Sequence, residues 1–171
     1  MTLLIILALL IAAFLAYVAS RPNTFRVERS ASIKSPPEKI FPLINDMHAF
    51  NTWNPYERKD PNKGTYSGPP AGKGAGYAWE SKKLGTGSME ILEARAPDKV
   101  TMALKFLKPM VASNICEFTI RPEGGGSEVT WAMHGPSTFF TKLLHTVLSM
   151  DKMVGTDFAN GLANLKQLAE M

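Results

Sequence analysis

The sequence contains few of the residues from which metal and thiol sites are built. Cys116 is its single cysteine, so the chain can form no internal disulfide and offers no thiolate cluster for a metal. The three histidines, His48, His134 and His145, are far apart and show neither His-x-His nor His-Glu-x-x-His spacing. We therefore predict no metal site. Because Cys116 falls within an alternating apolar pattern, we expect its thiol to pack in the core rather than act as a nucleophile.

Motifs for catalysis and for nucleic-acid binding are missing as well. No Gly-x-Ser-x-Gly turn is present, and the glycine-rich residues 72–76 lack the spacing of a phosphate or dinucleotide loop, which favours a turn between strands. The formal net charge is +4, yet no run of five or more Lys or Arg occurs. We predict no nucleic-acid partner, no cofactor and no catalytic residue, while the positive charge suits a neighbouring anionic lipid surface.

Charge is absent from the first 20 residues. Residues 2–20 contain no charged residue, proline or glycine and just reach the length of about 20 apolar residues that crosses a bilayer. A cleaved secretory signal is the alternative, since residues 18–20 are small enough for a signal peptidase. However, the stretch lacks a basic n-region and exceeds the usual apolar length of about 7–15 residues. We predict a single transmembrane anchor at residues 1–20. The basic residues that follow, beginning with Arg21, place the domain on the cytoplasmic side by the positive-inside rule.

Residues 21–171 have the size of one domain. Alternating apolar residues predict strands at 25–34, 77–82, 87–96, 100–107, 111–121 and 128–134. Short helices are expected at 38–44 and 46–50, followed by a loop over residues 53–76 with one edge strand near Thr65. The last 34 residues repeat apolar side chains at helical spacing, with a break near residues 149–151. This order predicts an α+β fold in which a long C-terminal helix covers a curved antiparallel sheet only partly and leaves a cavity.

Several short stretches of the domain follow one another in a recognisable order. They are NDMHAFNTWNPY at 45–56, YSGP at 66–69, GKGA at 72–75, GTGSM at 85–89, VTWAM at 129–133 and DKMVGTDF at 151–158. Together they resemble the SRPBCC (START-like) superfamily, in particular its polyketide cyclase/dehydrase and lipid-transport group. The resemblance implies a helix-grip (START/Bet v 1-like) fold whose cavity binds apolar molecules. It does not imply a reaction, because the superfamily includes carriers, cyclases, hydrolases, receptors and co-chaperone domains.

Aromatic and methionine side chains on one face of the predicted sheet are the candidate ligand contacts. Such side chains line cavities that adapt in shape, although plain core packing is the alternative for each of them. The predicted ligand-binding residues are Trp53, Tyr77, Trp79, Met102, Phe106, Phe118, Trp131, Met133 and Phe158, with Tyr56 beside them. Glu80, Glu90 and Glu117 are out of phase with the apolar face and should lie on the sheet exterior. Glu93 and Arg95 are in phase with Ile91 and predict a polar pair at the cavity mouth.

These features favour membrane-tethered binding or transport of a lipid or other apolar small molecule. A cyclase- or dehydrase-like enzyme is the first alternative and would need a polar pair in the cavity, for which Glu93, Arg95 and His134 are weak candidates. A co-chaperone-like interaction module is the second and would need an exposed apolar patch. Residues 139–144 form either plain core or a lid that contacts the bilayer, because a lysine beside an apolar stripe suits an interface. Ligand identity and oligomeric state are left open.

Overall fold

The structure, a computed structural model, describes residues 1–61, 64–147 and 149–171. Two residues of the predicted loop at 53–76, Asn62 and Lys63, therefore lie outside the described residues. The helices are α1 (Thr2–Ser20), α2 (Pro37–Asn45), α3 (Met47–Trp53), α4 (Pro55–Lys59), α5 (Phe139–Val147) and α6 (Met150–Ala169). The strands are β1 (Thr24–Ile33), β2 (Thr65–Ser67), β3 (Gly76–Ser81), β4 (Gly85–Arg95), β5 (Lys99–Lys108), β6 (Ala112–Glu123) and β7 (Gly126–Pro136).

All seven strands form one antiparallel sheet in the order β1-β7-β6-β5-β4-β3-β2. At one end of this sheet, Thr24 at the start of β1 pairs with Pro136 at the end of β7, and Phe106 near the end of β5 pairs with Ala112 at the start of β6. We call this the α1 end of the sheet, because β1 begins there shortly after α1. The predicted α+β arrangement is confirmed.

Period-two burial explains why the meander forms where the sequence predicts it. Along β6, Cys116, Phe118 and Ile120 are buried while the residues between them are only half-buried. Such alternation places every second side chain on the covered face of a sheet.

The segment between β1 and β2 is more helical than predicted. Asp46 caps α3, since its Oδ1 accepts hydrogen bonds from the backbone N–H groups of His48 (2.7 Å) and Ala49 (3.1 Å). Asn54 caps α4 in the same way, accepting from the Tyr56 N–H, and Pro55 occupies the first turn of that helix. The expectation of a loop from residue 53 onward is therefore wrong for α4. Its asparagine cap and following proline were the local signal for this helix.

A β-bulge in β4 corrects the predicted position of Glu93 and Arg95. Ile91 pairs with Met102, but the next paired residue of β4 is Glu93, opposite Thr101, so Leu92 is the extra residue. The inserted residue reverses the alternation and points Ala94, rather than Glu93, at the core. Glu93 and Arg95 are exposed, and Arg95 instead forms an ion pair with Asp98 at 3.5 Å.

Helix α6 lies across the covered face of the sheet and buries Phe158, Leu162 and Leu165. The Phe158 ring stacks on the Trp131 indole of β7 with 4.2 Å between centroids and 10° between planes. Gly161 permits this approach, because a Cβ there would meet Trp131 Cζ3 at 2.6 Å. The N-terminal turn of α6 is held to β1 by Arg29, which donates hydrogen bonds to both carboxylate oxygens of Asp151. The helix is thus fixed at its start and at its middle.

On the outer face of the sheet, Glu117 lies among two cationic side chains and a histidine. Its carboxylate is 2.7 Å from Lys99 Nζ and 3.5 Å from both Arg26 Nη1 and His134 Nε2. The hydrogen bond from Lys99 is the main reason that the pKa of Glu117 lies below its ordinary value, opposed by partial burial. As expected, Glu80, Glu90 and Glu117 lie on the side away from the apolar face. This placement keeps their charges out of the core.

We expect Glu117→Gln to remove a stabilisation that depends on pH. A carboxyl group whose pKa is lower in the folded state stabilises the protein above its unfolded pKa of about 4.3 and loses this effect as pH falls through the folded pKa. At pH 7 the variant should be less stable by about 1 kcal/mol, and the difference should shrink as pH falls below about 4.3. Urea unfolding at several pH values measures this. Glu90→Gln, at an exposed position of β4, is the control, and a gap that is undiminished at low pH would contradict the assignment.

Gly161→Ala should destabilise the domain although alanine is the better helix former. The helix-propensity gain is about 1 kcal/mol, but the added methyl meets Trp131 Cζ3 at 2.6 Å and Pro55 Cδ at 3.0 Å, and overpacking costs about 1–3 kcal/mol. We expect a net loss of about 1 kcal/mol in thermal or urea unfolding. Asn160→Ala, at an exposed neighbouring position of α6, should not lose stability. Equal stability of the two variants would show that α6 moves away from β7 without cost.

Candidate functional site

A pocket of about 760 Å³ lies between the covered face of the sheet, α5 and the first turns of α6. Its volume falls in the range of about 300–1,000 Å³ that is typical of small-molecule sites. Aromatic, methionine and aliphatic side chains dominate the wall. The pocket forms because α6 covers the half of the sheet near β1 and β7, whereas β3, β4 and β5 have no long helix over them.

Eight of the nine predicted ligand-binding residues line this pocket: Tyr77, Trp79, Met102, Phe106, Phe118, Trp131, Met133 and Phe158. The ninth, Trp53, does not. Its side chain is fully buried in the core, its Nε1–H donates to the Leu43 carbonyl at 2.8 Å, and its ring packs edge-on against Phe118 and Trp131. Trp53 supports two wall residues from behind. Tyr56 also lines the pocket, whereas Glu93, Arg95 and His134 are not among its lining residues.

Two groups of wall residues were not predicted as ligand contacts. One belongs to α5 and the start of α6 and includes Phe140, Leu144, His145 and Met153. The other is the β5–β6 turn, where residues 108–112 reach the pocket. The amphipathic period of residues 139–144 was a signal for the first group. No sequence pattern indicated the residues of the β5–β6 turn, because a turn shows no periodicity.

Two tyrosine–carboxylate pairs interrupt the apolar wall. Tyr77 donates its hydroxyl hydrogen to Glu57 Oε2 at 2.9 Å, and Tyr56 contacts Asp157, which also forms an ion pair with Lys59. Burial, followed by the adjacent carboxylate, raises the pKa of both tyrosines. Their hydroxyls therefore stay protonated at neutral pH and hold the carboxylates in place. Both pairs depend on α4, the helix that the sequence did not predict.

Three further polar groups lie along the wall. The Trp131 Nε1–H is buried and has no acceptor within hydrogen-bond distance among the described residues, although its interaction with Cys116 lowers the pKa of that thiol against the larger effect of burial. Asn114 is buried on β6, with its amide nitrogen 3.9 Å from the Met133 sulfur. His145 packs edge-on against Phe25, with 5.3 Å between ring centroids, and burial lowers its pKa. The pocket thus offers a few hydrogen-bonding groups on an apolar surface.

Within the described residues, no group of three or more His, Cys, Asp or Glu side chains is placed to hold a metal ion. The acidic residues of the wall, Glu57 and Asp157, are each engaged by a tyrosine.

Helix α1 has the length and hydropathy to cross a bilayer, as the one such helix in the described part of the chain. A signal sequence has the same properties. Val18 is its single buried residue, and its last turn contacts α5. Lys142 of α5 is itself buried and donates hydrogen bonds from Nζ to the Ala19 carbonyl at 3.1 Å and to Asn23 Oδ1 at 2.7 Å.

Comparison with known proteins identifies the fold. Residues 24–170 match the sequence profile of a family described as polyketide cyclase / dehydrase and lipid transport. No curated protein matches the sequence.

Three solved structures illustrate the likeness. A Chromobacterium violaceum protein is 17% identical over 88% of this chain and 99% of its own, with a TM-score of 0.60. Aha1 of Colwellia psychrerythraea, solved as a dimer, is 16% identical over 86% and 97%, with a TM-score of 0.58. DynU16, from the dynemicin biosynthetic locus, is 13% identical over 88% and 48%, with a TM-score of 0.62. Such identities show the fold alone, and they confirm the helix-grip class.

Cys116 should be unreactive in the folded protein. It is 4% exposed on the pocket wall, and burial raises the pKa of its thiol to about 12, so almost no thiolate is present at pH 8. We expect native protein to react with a thiol reagent such as dithionitrobenzoate far more slowly than protein unfolded in urea, by a factor of at least about 100. Reaction of the native protein at the unfolded rate would show that the pocket admits polar reagents freely.

Proposed function

The chain belongs to the polyketide cyclase/dehydrase and lipid-transport family, and on this premise we propose that it binds or carries a lipid or other apolar small molecule in its pocket while α1 tethers it to a membrane. The observation that carries the proposal is the apolar pocket of about 760 Å³ between the sheet and α5. The proposed ligand contacts are the eight predicted residues on its wall, joined by Tyr56 and the α5 residues Phe140 and Leu144.

Apolar burial supplies the driving force in this proposal. Burial contributes about 25 cal/mol per Å², so about 300 Å² of ligand surface contributes about 7 kcal/mol before ordering costs are subtracted. Methionines 89, 102, 133 and 153 on the wall suit ligands of variable shape, because their side chains are unbranched and polarizable. The buried Trp131 Nε1–H favours a ligand with an oxygen acceptor that can reach this indole. A long-chain ester, acid or ketone has this character.

The contacts between α1 and α5 support retention of α1 as an anchor. Val18 is fully buried and Lys142 bonds to the last turn of α1, so removal of the helix would leave a buried lysine short of one acceptor. A cleavable signal has no reason to pack against the mature domain. We propose that α1 crosses the membrane once and that the domain lies on the cytoplasmic side, following the arginines after α1.

Acid–base catalysis on an apolar substrate is the second candidate. The two tyrosine–carboxylate pairs favour it, because they place protonated hydroxyls and carboxylates on the wall of a pocket that is otherwise mostly apolar. The proposed binding function requires no chemical change in the bound molecule. An enzyme of this kind would release its product and would be isolated empty.

The test is native mass spectrometry of the full chain, extracted from membranes in mild detergent. We expect a stoichiometric bound lipid or isoprenoid. Leu104→Trp enlarges a side chain that lines the pocket and should reduce the bound fraction at least about tenfold by steric exclusion. Leu92→Trp, at the exposed bulge of β4, makes the same substitution outside the pocket and should bind as the wild type does.

Equal occupancy in the two variants, both shown to be folded by circular dichroism, would contradict binding in this pocket. An empty wild-type pocket in repeated preparations would overturn the carrier and favour the enzyme.

A further inference from the structure

Most of the exposed large apolar side chains of the domain lie at the mouth of the pocket. Met110, Val111, Phe140 and Met153 line the pocket, yet they are 47%, 81%, 57% and 59% exposed. We call these four residues the apolar rim. Leu107 and Phe139 flank it and are about half exposed. Outside α1, the other large apolar residues with such exposure in the described chain are Tyr66, Leu92 and Met171. The exposure is therefore concentrated at one place, which indicates an interaction surface.

We propose that the apolar rim inserts into the surface of the bilayer that α1 crosses, so that the pocket opens directly into the lipid and its ligand enters without passing through water. This inference rests on the proposed function, namely a membrane-spanning α1 and an apolar ligand.

The order of the strands places the mouth of the pocket next to α1. The apolar rim comes from the β5–β6 turn, α5 and the first turn of α6. The β5–β6 turn lies at the α1 end of the sheet, and α5 and α6 follow β7, which ends there. From Ser20, the last residue of α1, to Thr24, the first of β1, the chain can span at most about 14 Å. A membrane-spanning α1 therefore holds this end of the sheet close to the headgroups and leaves the opposite end in solution.

Hydrogen bonds donated by Lys142 hold the pocket wall to α1. Lys142 belongs to α5, between rim residue Phe140 and wall residue Leu144, and its Nζ donates to the Ala19 carbonyl and to Asn23 Oδ1. Nearby, the Ser137 N–H donates to the Asn23 carbonyl at 2.7 Å. A buried cation at the C-terminus of α1 is also favoured by the helix dipole. Because Lys142 bonds both to the last turn of α1 and to Asn23 just after it, α5 and the apolar rim residue Phe140 are held next to the membrane helix.

The charges at the α1 end match an anionic lipid surface. Exposed basic residues occur after α1, in the β3–β4 turn, at the end of β5 and in the first turn of α6; they are Arg21, Lys82, Lys83, Lys108 and Lys152. Acidic residues at this end are fewer: Glu80 is exposed, Asp60 accepts a hydrogen bond from the Ser81 hydroxyl, and Asp151 is paired with Arg29. The turns at the opposite end carry exposed charges of both signs, including Arg95, Asp98 and Glu123. Basic residues near a membrane contribute about 1 kcal/mol each with anionic lipids. Apolar side chains ringed by lysines suit a bilayer better than a protein partner.

Depth-dependent fluorescence quenching tests this orientation in the full chain. Val111→Cys is labelled with a nitrobenzoxadiazole maleimide, since the native Cys116 is buried, and is reconstituted in nanodiscs of phosphatidylcholine and phosphatidylglycerol that contain an acyl-chain nitroxide lipid. We expect at least about twofold stronger quenching than for the same label at Leu92→Cys, on the outer face of β4. Equal quenching at the two positions would overturn the proposal. The proposal would also be overturned if the label at residue 111 were shielded by a second copy or another protein and remained unquenched by the nitroxide lipid.

A second measurement separates this inference from the proposed function. Phe139→Asp, at an exposed position that flanks the apolar rim but does not line the pocket, should slow transfer of a fluorescent fatty acid from vesicles into the pocket at least about tenfold, because a charge is costly in the bilayer interface. Its equilibrium occupancy, loaded from detergent, should match the wild type. Unchanged transfer would contradict entry through the apolar rim. Strong quenching of the label on Val111→Cys, together with a wild-type chain that binds no lipid, would overturn the proposed ligand function while supporting the membrane orientation.

Discussion

The stacking of Phe158 on Trp131 is the contact on which the rest of the domain depends. It joins the C-terminal helix to the last strand, with Gly161 one turn further along providing the space. Because α6 is held near β1 and β7, it cannot also cover β3, β4 and β5. The apolar residues of those strands then face a space that is closed by α5, α4, the first turns of α6 and the β5–β6 turn. The pocket is thus a consequence of where the helix is fixed.

Charged groups are arranged around the pocket so that few of them face it unpaired. Glu117 and its cationic partners lie on the outer face of the sheet, Arg29 and Asp151 hold the start of α6, and Lys142 turns toward α1. The two carboxylates that do reach the wall are bonded to tyrosines whose hydroxyls remain protonated. This distribution leaves an apolar surface with few hydrogen-bonding groups, which suits ligands that are poorly soluble in water.

In the proposed function, ligand binding, membrane anchoring and ligand entry all depend on the same arrangement of strands. The strand that begins just after α1 pairs with the strand that leads into α5, so the membrane helix and the α5 side of the pocket wall meet at the same end of the sheet. For a ligand of low aqueous solubility, an opening at this end removes the costly step of crossing water. The exposed apolar rim would be a liability on a free soluble domain, whereas in contact with a bilayer it is an advantage.

The sequence by itself determined the strands, the apolar helix, the α+β class and eight of the pocket residues. These follow from local patterns: burial alternates with period two in a half-covered sheet, and an uncharged run of bilayer length is visible without any partner. Tertiary structure decided the rest. The inserted residue Leu92 turns Glu93 outward, and Trp53 packs in the core rather than on the pocket wall. Helix α4 places Glu57 beside Tyr77 and Lys59 beside Asp157. Lys142 donates hydrogen bonds to acceptors about 120 positions away in the sequence. Such pairings depend on strand register and helix placement, which are set by the packing of the whole domain and leave no periodic signal in the chain.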